Sequence, residues 1–241
     1  MRRFPLLLAV AASALAGCGG GTVENASDIK LALARPGAVH AGLYLAVQRG
    51  FDEAVGVTLL PTVTANPSRA LTTAQAGLAV LDIHELAIAR ARGADIVGVM
   101  AIVERPVPEL RPPRLLRATR RVPGAPEYPE LVLATLRSTL TDNANAVQGA
   151  VSALQRGYRE AYIDPDSAVQ ALTTAVPRLK RAAVAADLDR LGPAFQGTLP
   201  TFGELDPARL RAWAAWEPRT GLVKRPPDAA RAFDGQYVRP G

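Results

Sequence analysis

The feature that most constrains the fold is a regular alternation of short apolar runs with amphipathic stretches between residues 29 and 103. Short β-branched apolar runs are typical of strands, and apolar residues spaced by three or four are typical of helices. The alternation therefore predicts a βαβαβαβ order. Such an order favours an α/β fold with a parallel sheet, helices on both faces and right-handed crossovers. The predicted strands are 29–34, 57–63, 78–81 and 96–103.

The predicted helices between these strands have residue types that suit helix termini. The first covers residues 41–51, and the third covers 82–92. The second begins at Asn66-Pro67, which combines an N-cap with proline at the first helical position, and it ends at Gly77. These termini support the same βαβαβαβ order.

Residues 105–124 interrupt the alternation, because they contain five prolines and six arginines. Proline at this density opposes helix interiors and central strands. We therefore expect a semi-rigid, solvated connection. A contact between the arginines and anionic lipid headgroups is the alternative.

The rest of the chain predicts one more strand, at residues 131–136, followed by helices. The first of these helices begins at Thr141 or Asp142 and reaches Ile163. The others are predicted from Asp164-Pro165, over 179–191, and from Asp206-Pro207.

The N-terminus has the proportions of an export signal. Arg2 and Arg3 precede an apolar run over residues 4–14, which is shorter than the roughly 20 residues that span a bilayer. Leu15-Ala16-Gly17-Cys18 resembles a bacterial lipobox, in which the cysteine is acylated and becomes the first mature residue. We expect a lipoprotein held at the extracytoplasmic side of a membrane in the cell envelope. The alternative is an ordinary signal peptide that is cut elsewhere.

Cys18 is the chain's single cysteine, so no intrachain disulfide is possible. The polar, glycine-rich residues after it are typical of a flexible tether. The predicted organisation is a signal peptide over 1–17, a lipidated tether over 18–28, an α/β lobe over 29–105, a Pro/Arg-rich connection over 106–125, and a return strand with C-terminal helices over 126–241.

The net charge of +6 does not indicate a nucleic-acid partner. Nucleic-acid-binding domains cluster basic residues with aromatic ones, whereas the aromatic residues here are 5% of the chain and scattered. The abundance of alanine and arginine is equally typical of a GC-rich genome. We therefore expect no nucleic-acid partner.

Candidate ligand-binding residues follow the predicted strands, because open parallel sheets bind ligands outside the carboxyl ends of their strands. His40 and Tyr44 follow the first strand, Asn66 and Ser68 the second, and His84 and Glu85 the third. Several have structural alternatives: Asn66 and Asp82 suit helix caps, His40 suits a backbone carbonyl, and Tyr44 suits the core. The spacing of the histidines and carboxylates fits no recognised zinc pattern, so we expect no metal.

The sequence gives little indication of catalysis. The patterns GxSxG, GxGxxG after a strand and GxxxxGK[ST] are absent. We expect a protein that is not an enzyme and that uses no cofactor.

Five segments together resemble the thiamine-pyrimidine-synthase-like solute-binding proteins of ABC importers. They are HAGLYLAVQRGF (40–51), VTLLPTVTANPSRAL (57–71), DIHELAIARARGADIVGVMAIVERP (82–106), PEYPELVLATLRSTLTDNANAVQGAVSALQRGYREAYIDPDSAVQAL (126–172) and GELDPARLRAWAAWEPRTGLV (203–223). The resemblance implies a periplasmic-binding-protein-like fold that delivers a small solute to an ABC permease. Family ligands include aminopyrimidine precursors of thiamine, and relatives bind riboflavin, sulfonates or nitrate-like anions.

The resemblance also implies roles for the candidate residues. Glu85 would accept hydrogen bonds from an aminopyrimidine, and His40 and Ser68 would fix the ring or an anionic group. An enzyme like the eukaryotic pyrimidine synthases of the family is the alternative, but those use a cysteine-rich iron motif and a cofactor-linked lysine.

The chain departs from the family between residues 107 and 125, where a second α/β lobe would lie. Only this short Pro/Arg-rich interval takes its place, which implies that most of the second lobe is missing. A receptor that uses a dimer partner as its other wall, and a truncated paralogue that no longer binds ligand, are both compatible with this departure.

Overall fold

The computed structural model describes residues 27–196 and 200–240. The predicted signal peptide, the lipidation of Cys18 and most of the tether lie outside these residues. Ser27 and Asp28 were predicted to belong to the tether, and this prediction is wrong, because the first strand begins at Ser27. Their backbones pair with Val57 and Thr58 of the neighbouring strand.

Five strands form one sheet in the order β2-β1-β3-β5-β4. β1 runs parallel to β2 and β3, and β5 runs antiparallel to β3 and β4. The α/β class is thus confirmed, with the difference that the return strand is inserted between β3 and β4. The strands are β1 Ser27–Leu33, β2 Val57–Val63, β3 Leu78–Asp82, β4 Ile96–Val103 and β5 Leu131–Leu136.

Ten α-helices complete the described part of the chain, and several differ from the predicted bounds. The predicted helix from 141 to 163 is divided at Asn143 into α5 and α6. The helices are α1 Ala41–Gln48, α2 Pro67–Thr72, α3 Ile83–Ala91, α4 Pro113–Thr119, α5 Arg137–Asp142, α6 Ala144–Ile163, α7 Pro165–Ala175, α8 Arg181–Gln196, α9 Pro207–Trp216 and α10 Ala229–Ala232. Within the described ranges no helix combines the length and the apolar character needed to cross a membrane.

The sheet is covered on both faces, as its almost continuously apolar strands require. All eight residues of β4 are buried. One apolar cluster joins the sheet to α1, α6, α7 and α8. The other joins it to α2, α3, α9 and α10, with Trp213 fully buried among them.

The two helices α1 and α6 approach each other at glycines. A Cβ atom on Gly157 would lie 2.3 Å from the carbonyl oxygen of Gly42 and 2.6 Å from Cβ of Ala46. A Cβ atom on Gly42 would lie 2.8 Å from Cα of Tyr158. Only glycine permits this approach, which fixes the position of α1 and of the residues that it carries to the carboxyl edge of the sheet.

The connection between β4 and β5 was predicted to be solvated, and this is wrong for its central residues. It contains the short helix α4, and Arg111, Leu115 and Thr119 are buried. Pro112 is the N-cap of this helix and Pro113 is its first residue, and proline is tolerated at both positions. The described connection contains no strand, and the described part of the chain contains one sheet.

Candidate functional site

A groove lies at the carboxyl ends of β1 and β2. It has a volume of about 560 Å³, and its walls include Pro36, Tyr44, Pro61, Val63 and Arg178. Burial raises the pKa of the Tyr44 hydroxyl, and the positive charge of Arg178 opposes that shift. Tyr44 is therefore a neutral hydroxyl close to an exposed guanidinium. Apolar walls with one cation and one hydroxyl suit a small solute that carries an anionic group.

His40 ends a 3-10 turn at Ala38–His40 and lies at the N-cap position of α1. Its side chain is buried, and Nδ1 has no hydrogen-bond partner in the described structure. Burial lowers the pKa of His40 to about 4, although the carbonyl of Gly37 opposes the shift. His40 is therefore uncharged near neutral pH and does not supply a cation to an anionic ligand.

This lowered pKa predicts an acid-dependent loss of stability. Because the folded state holds His40 neutral and the unfolded state protonates it below about pH 6.5, stability falls as the pH drops from 6.5 towards 4. We expect the wild-type protein to lose about 2 kcal/mol relative to His40→Gln between pH 7.5 and pH 5, measured by urea unfolding at each pH.

The other histidine of the chain is the control for this experiment. The pKa of His84 is raised, so its stabilising contribution is complete below about pH 6.5 and is lost as the pH rises through the folded value. His84→Gln should therefore change the pH dependence with the opposite sign. Identical profiles for the wild type and His40→Gln would contradict the assignment of His40 as buried and neutral.

Asn66 and Ser68 lie beyond the end of β2, at the start of α2. The side-chain oxygen of Asn66 accepts hydrogen bonds from the backbone N–H of Arg69 at 3.0 Å and from the hydroxyl of Ser68 at 2.9 Å. Asn66 is thus the helix cap that its sequence position suggested, and it is exposed.

His84 has no exposed surface and belongs to a buried polar cluster. Its backbone N–H donates to Asp82, which caps α3, at 2.8 Å. Its Nδ1 lies 2.7 Å from Oε2 of Glu217, and its Nε2 lies 3.3 Å from the hydroxyl of Tyr128. Burial alone would lower the pKa of His84, but the hydrogen bond to Glu217 and the charges of Asp82 and Glu217 together raise it.

An ion pair between Arg111 and Glu130 continues this cluster. Arg111 donates from Nε to Oε1 at 2.7 Å and from Nη2 to Oε2 at 2.6 Å, a bidentate geometry. The same guanidinium donates to Tyr128 at 2.8 Å and to Thr119 at 3.0 Å. The backbone N–H of Val107 also donates to Glu130. The connection between β4 and β5 is therefore attached to the sheet by buried charges.

Glu85 is half-buried on α3, one residue beyond His84. Burial raises the pKa of its carboxyl, and the charge of Arg114 on α4 opposes the shift. Glu85 therefore lies close to the helix of the Pro/Arg-rich connection.

The structure does not bring all six predicted residues to one wall. Tyr44 lines the groove, whereas His84 lies inside the buried cluster with Tyr128 and Glu217. The ligand-binding roles of His40, Tyr44, Asn66, Ser68, His84 and Glu85 stay predictions. Sequence reasoning missed Arg178, which lies just beyond α7 and reaches the groove through tertiary packing. Over residues 27–196 and 200–240 no group of three or more His, Cys, Asp or Glu side chains could hold a metal ion.

The fold is that of the periplasmic binding proteins. The Candida albicans CA3427 gene product, described as exhibiting the generic periplasmic binding protein structural fold, aligns with a TM-score of 0.66 at 12% identity, over 88% of this chain and 97% of that chain. The family described as NMT1/THI5 like matches residues 37–110, which confirms the resemblance for that part of the sequence.

Two further solved structures illustrate the range of proteins with this fold. The ligand-binding component of an ABC-type import system from Staphylococcus aureus, with zinc bound, has a TM-score of 0.64 at 12% identity and covers 88% of this chain and 97% of its own. The alkanesulfonate-binding protein SsuA from Xanthomonas axonopodis pv. citri, bound to MOPS, has a TM-score of 0.62 at 14% identity. The alignment covers 87% of this chain and 98% of that chain. Comparison with curated proteins gives no match.

Proposed function

We propose that this protein is the solute-binding component of an ABC importer, with no enzymatic activity of its own. In this proposal, acylated Cys18 holds it at the extracytoplasmic face of a membrane, where it delivers a small solute to the permease. The periplasmic-binding-protein fold and the family match over residues 37–110 support this role. The observation that carries the proposal is the groove containing Tyr44 and Arg178 at the carboxyl ends of β1 and β2.

The groove favours a small amphiphilic anion such as an alkanesulfonate. Pro36, Pro61 and Val63 offer apolar surface to an alkyl chain, while Arg178 and the Tyr44 hydroxyl can donate to an anionic head. Arginine suits sulfonate and carboxylate oxygens because its fork of N–H donors binds two oxygens at once. The solved alkanesulfonate-binding protein with the same fold agrees with this chemistry.

An aminopyrimidine precursor of thiamine is the second candidate. It is favoured by the family match over residues 37–110 and by the half-buried carboxyl of Glu85, which can accept a hydrogen bond from an exocyclic amine. Riboflavin is a further ligand of the wider family. The two leading candidates predict different determinants, Arg178 for the sulfonate and Glu85 for the pyrimidine.

Isothermal titration with a short alkanesulfonate, with 4-amino-5-hydroxymethyl-2-methylpyrimidine and with riboflavin tests the proposal. We expect the sulfonate to bind and Arg178→Ala to weaken its binding about tenfold to a hundredfold, because a hydrogen bond to a charged group contributes about 1.5–3 kcal/mol.

Arg181→Ala is the matched control. It removes the same charge from an exposed arginine whose partner is Asp166, and the affinity should stay within about twofold. Binding of the pyrimidine with dependence on Glu85 would favour the second candidate. No binding of any of the three compounds at millimolar concentration would contradict the proposal and favour a paralogue that no longer binds ligand.

A further inference from the structure

A second cavity lies between the beginning of α1, the end of α6 and the end of α8. Its volume is about 590 Å³, within the range of small-molecule sites. Its lining includes Gly42 from α1, Tyr158 from α6 and Gly192 from α8. None of its lining residues lines the groove that contains Tyr44 and Arg178. The proposed importer function does not use this cavity.

The walls of the cavity concentrate aromatic side chains in a chain that has few. The sequence contains five Phe, five Tyr and two Trp residues, and four of these line the cavity. They are Tyr158, Tyr162, Phe195 and Phe202. Aromatic walls present planar faces and edges that favour stacked or edge-to-face contact with another ring.

Tyr158 is held in place as the central ring of this wall. It stacks on Phe202 with ring centroids 5.1 Å apart and an interplanar angle of 19°, and its centroid lies 6.1 Å from that of Phe195. Its hydroxyl donates to the carbonyl of Val39 at 2.9 Å. The polar atom of the ring is thereby satisfied within the protein, so that the ring offers the cavity an apolar surface.

The lining also includes the two most exposed large apolar side chains in the part of the chain that the structure describes. Tyr162 is 65% exposed and Ile163 is 74% exposed. Single exposed apolar residues are common, but this pair adjoins an apolar cavity, where a bound molecule would cover both. The charged residues of the lining are Arg159 and Asp189, which have opposite signs and so favour neither an anion nor a cation.

We propose that this cavity binds an uncharged, planar aromatic molecule. The aromatic side chains of the wall supply ring contacts, and Leu188 and Ile163 add apolar surface. The opposite charges of Arg159 and Asp189 favour an uncharged ligand. A ligand with a charged head would instead bind the groove that contains Arg178.

Gly192 offers a direct way to test the cavity without removing any contact. It lines the cavity within α8, and a Cβ atom placed on it would meet no atom within 4 Å apart from its chain neighbours and its own helix backbone. Gly192→Trp should therefore fill the space with an indole ring while the fold is kept. Gly192→Ala is the matched control, because it adds one methyl group at the same position.

The probe is N-phenyl-1-naphthylamine, a neutral aromatic dye whose fluorescence rises in apolar surroundings. We expect saturable binding to the wild-type protein, binding by Gly192→Ala within about twofold, and at least about tenfold weaker binding by Gly192→Trp. Urea unfolding checks that each variant is folded. If Gly192→Trp does not fold, Leu188→Trp fills the cavity from one turn earlier on the same helix and should give the same loss.

Two results would overturn the proposal. One is undiminished dye binding by a folded cavity-filling variant, which would place the dye on the exposed surface of Tyr162 and Ile163. The other is the absence of saturable binding to the wild-type protein. Arg178→Ala should leave dye binding unchanged, so the outcome is independent of the solute proposed for the groove.

Discussion

Gly157→Ala is expected to destabilise the protein by about 3 kcal/mol or more, although alanine is normally the better residue in a helix. The added Cβ atom would lie 2.3 Å from the carbonyl oxygen of Gly42 and 2.6 Å from Cβ of Ala46. The carbonyl belongs to the backbone of α1, so neither contact can be relieved by rotating a side chain. Helix α1 would have to move away from α6, which would open the apolar cluster on that face of the sheet.

Gly192→Ala is the control for this substitution, since it makes the same chemical change inside helix α8. A Cβ atom there meets no atom within 4 Å apart from its chain neighbours and its own helix backbone. Pro193 follows it and disfavours a helical residue with a Cβ atom, which offsets the gain in helix propensity, so stability should change by no more than about 0.5 kcal/mol. Of the two variants, only Gly157→Ala is thus expected to lower the urea midpoint substantially. A neutral Gly157→Ala would show that α1 and α6 do not approach as closely as the structure places them.

The same displacement should reach the candidate sites, because α1 carries a residue of each. Tyr44 lines the groove and Gly42 lines the aromatic cavity. Any Gly157 variant that still folds should therefore bind solute and dye more weakly. A glycine that lines neither site would then affect binding through the position of one helix.

Local signals explain which parts of the fold could be predicted from the sequence. The apolar runs of β1 to β5 and the cap of α2 depend on neighbours within a few residues, and Asn66 caps α2 as expected. The position of β5 between β3 and β4 depends on pairing with distant residues, of which the nearest in sequence is Val103 opposite Leu131. The residues between β4 and β5 do not encode that position.

The buried charges could not be predicted for the same reason. His84 bonds to Glu217, which is 133 residues away, and no spacing rule joins them. The arginines between residues 105 and 121 lie in the same Pro/Arg-rich segment, yet Arg111 is buried while Arg117 is exposed. What distinguishes them is the tertiary position of Glu130. Composition indicated a semi-rigid, solvated connection, whereas the structure has the short helix α4 and buried side chains there.

Arg111→Met is expected to lower the free energy of unfolding by about 3–5 kcal/mol, because it leaves Glu130 as a buried carboxylate without its partner. The side chains of Arg111 and Glu130 are 5% and 0% exposed, so water cannot replace the lost guanidinium. Tyr128 and Thr119 lose the same donor. We also expect faster trypsin cleavage within residues 105–121, since the connection would detach from the sheet.

The variant Glu130→Gln and the double variant separate charge burial from packing. Glutamine keeps an oxygen acceptor for the N–H of Val107 and removes the charge, so the double variant should be less destabilised than the sum of the two single variants. Arg117→Met removes an exposed arginine from α4 and should change stability by no more than about 0.5 kcal/mol. Additive single effects, or an Arg111→Met variant as stable as Arg117→Met, would mean that the buried ion pair does not hold the connection. The Pro/Arg-rich connection would then be joined to the sheet by apolar contacts such as that of Leu115.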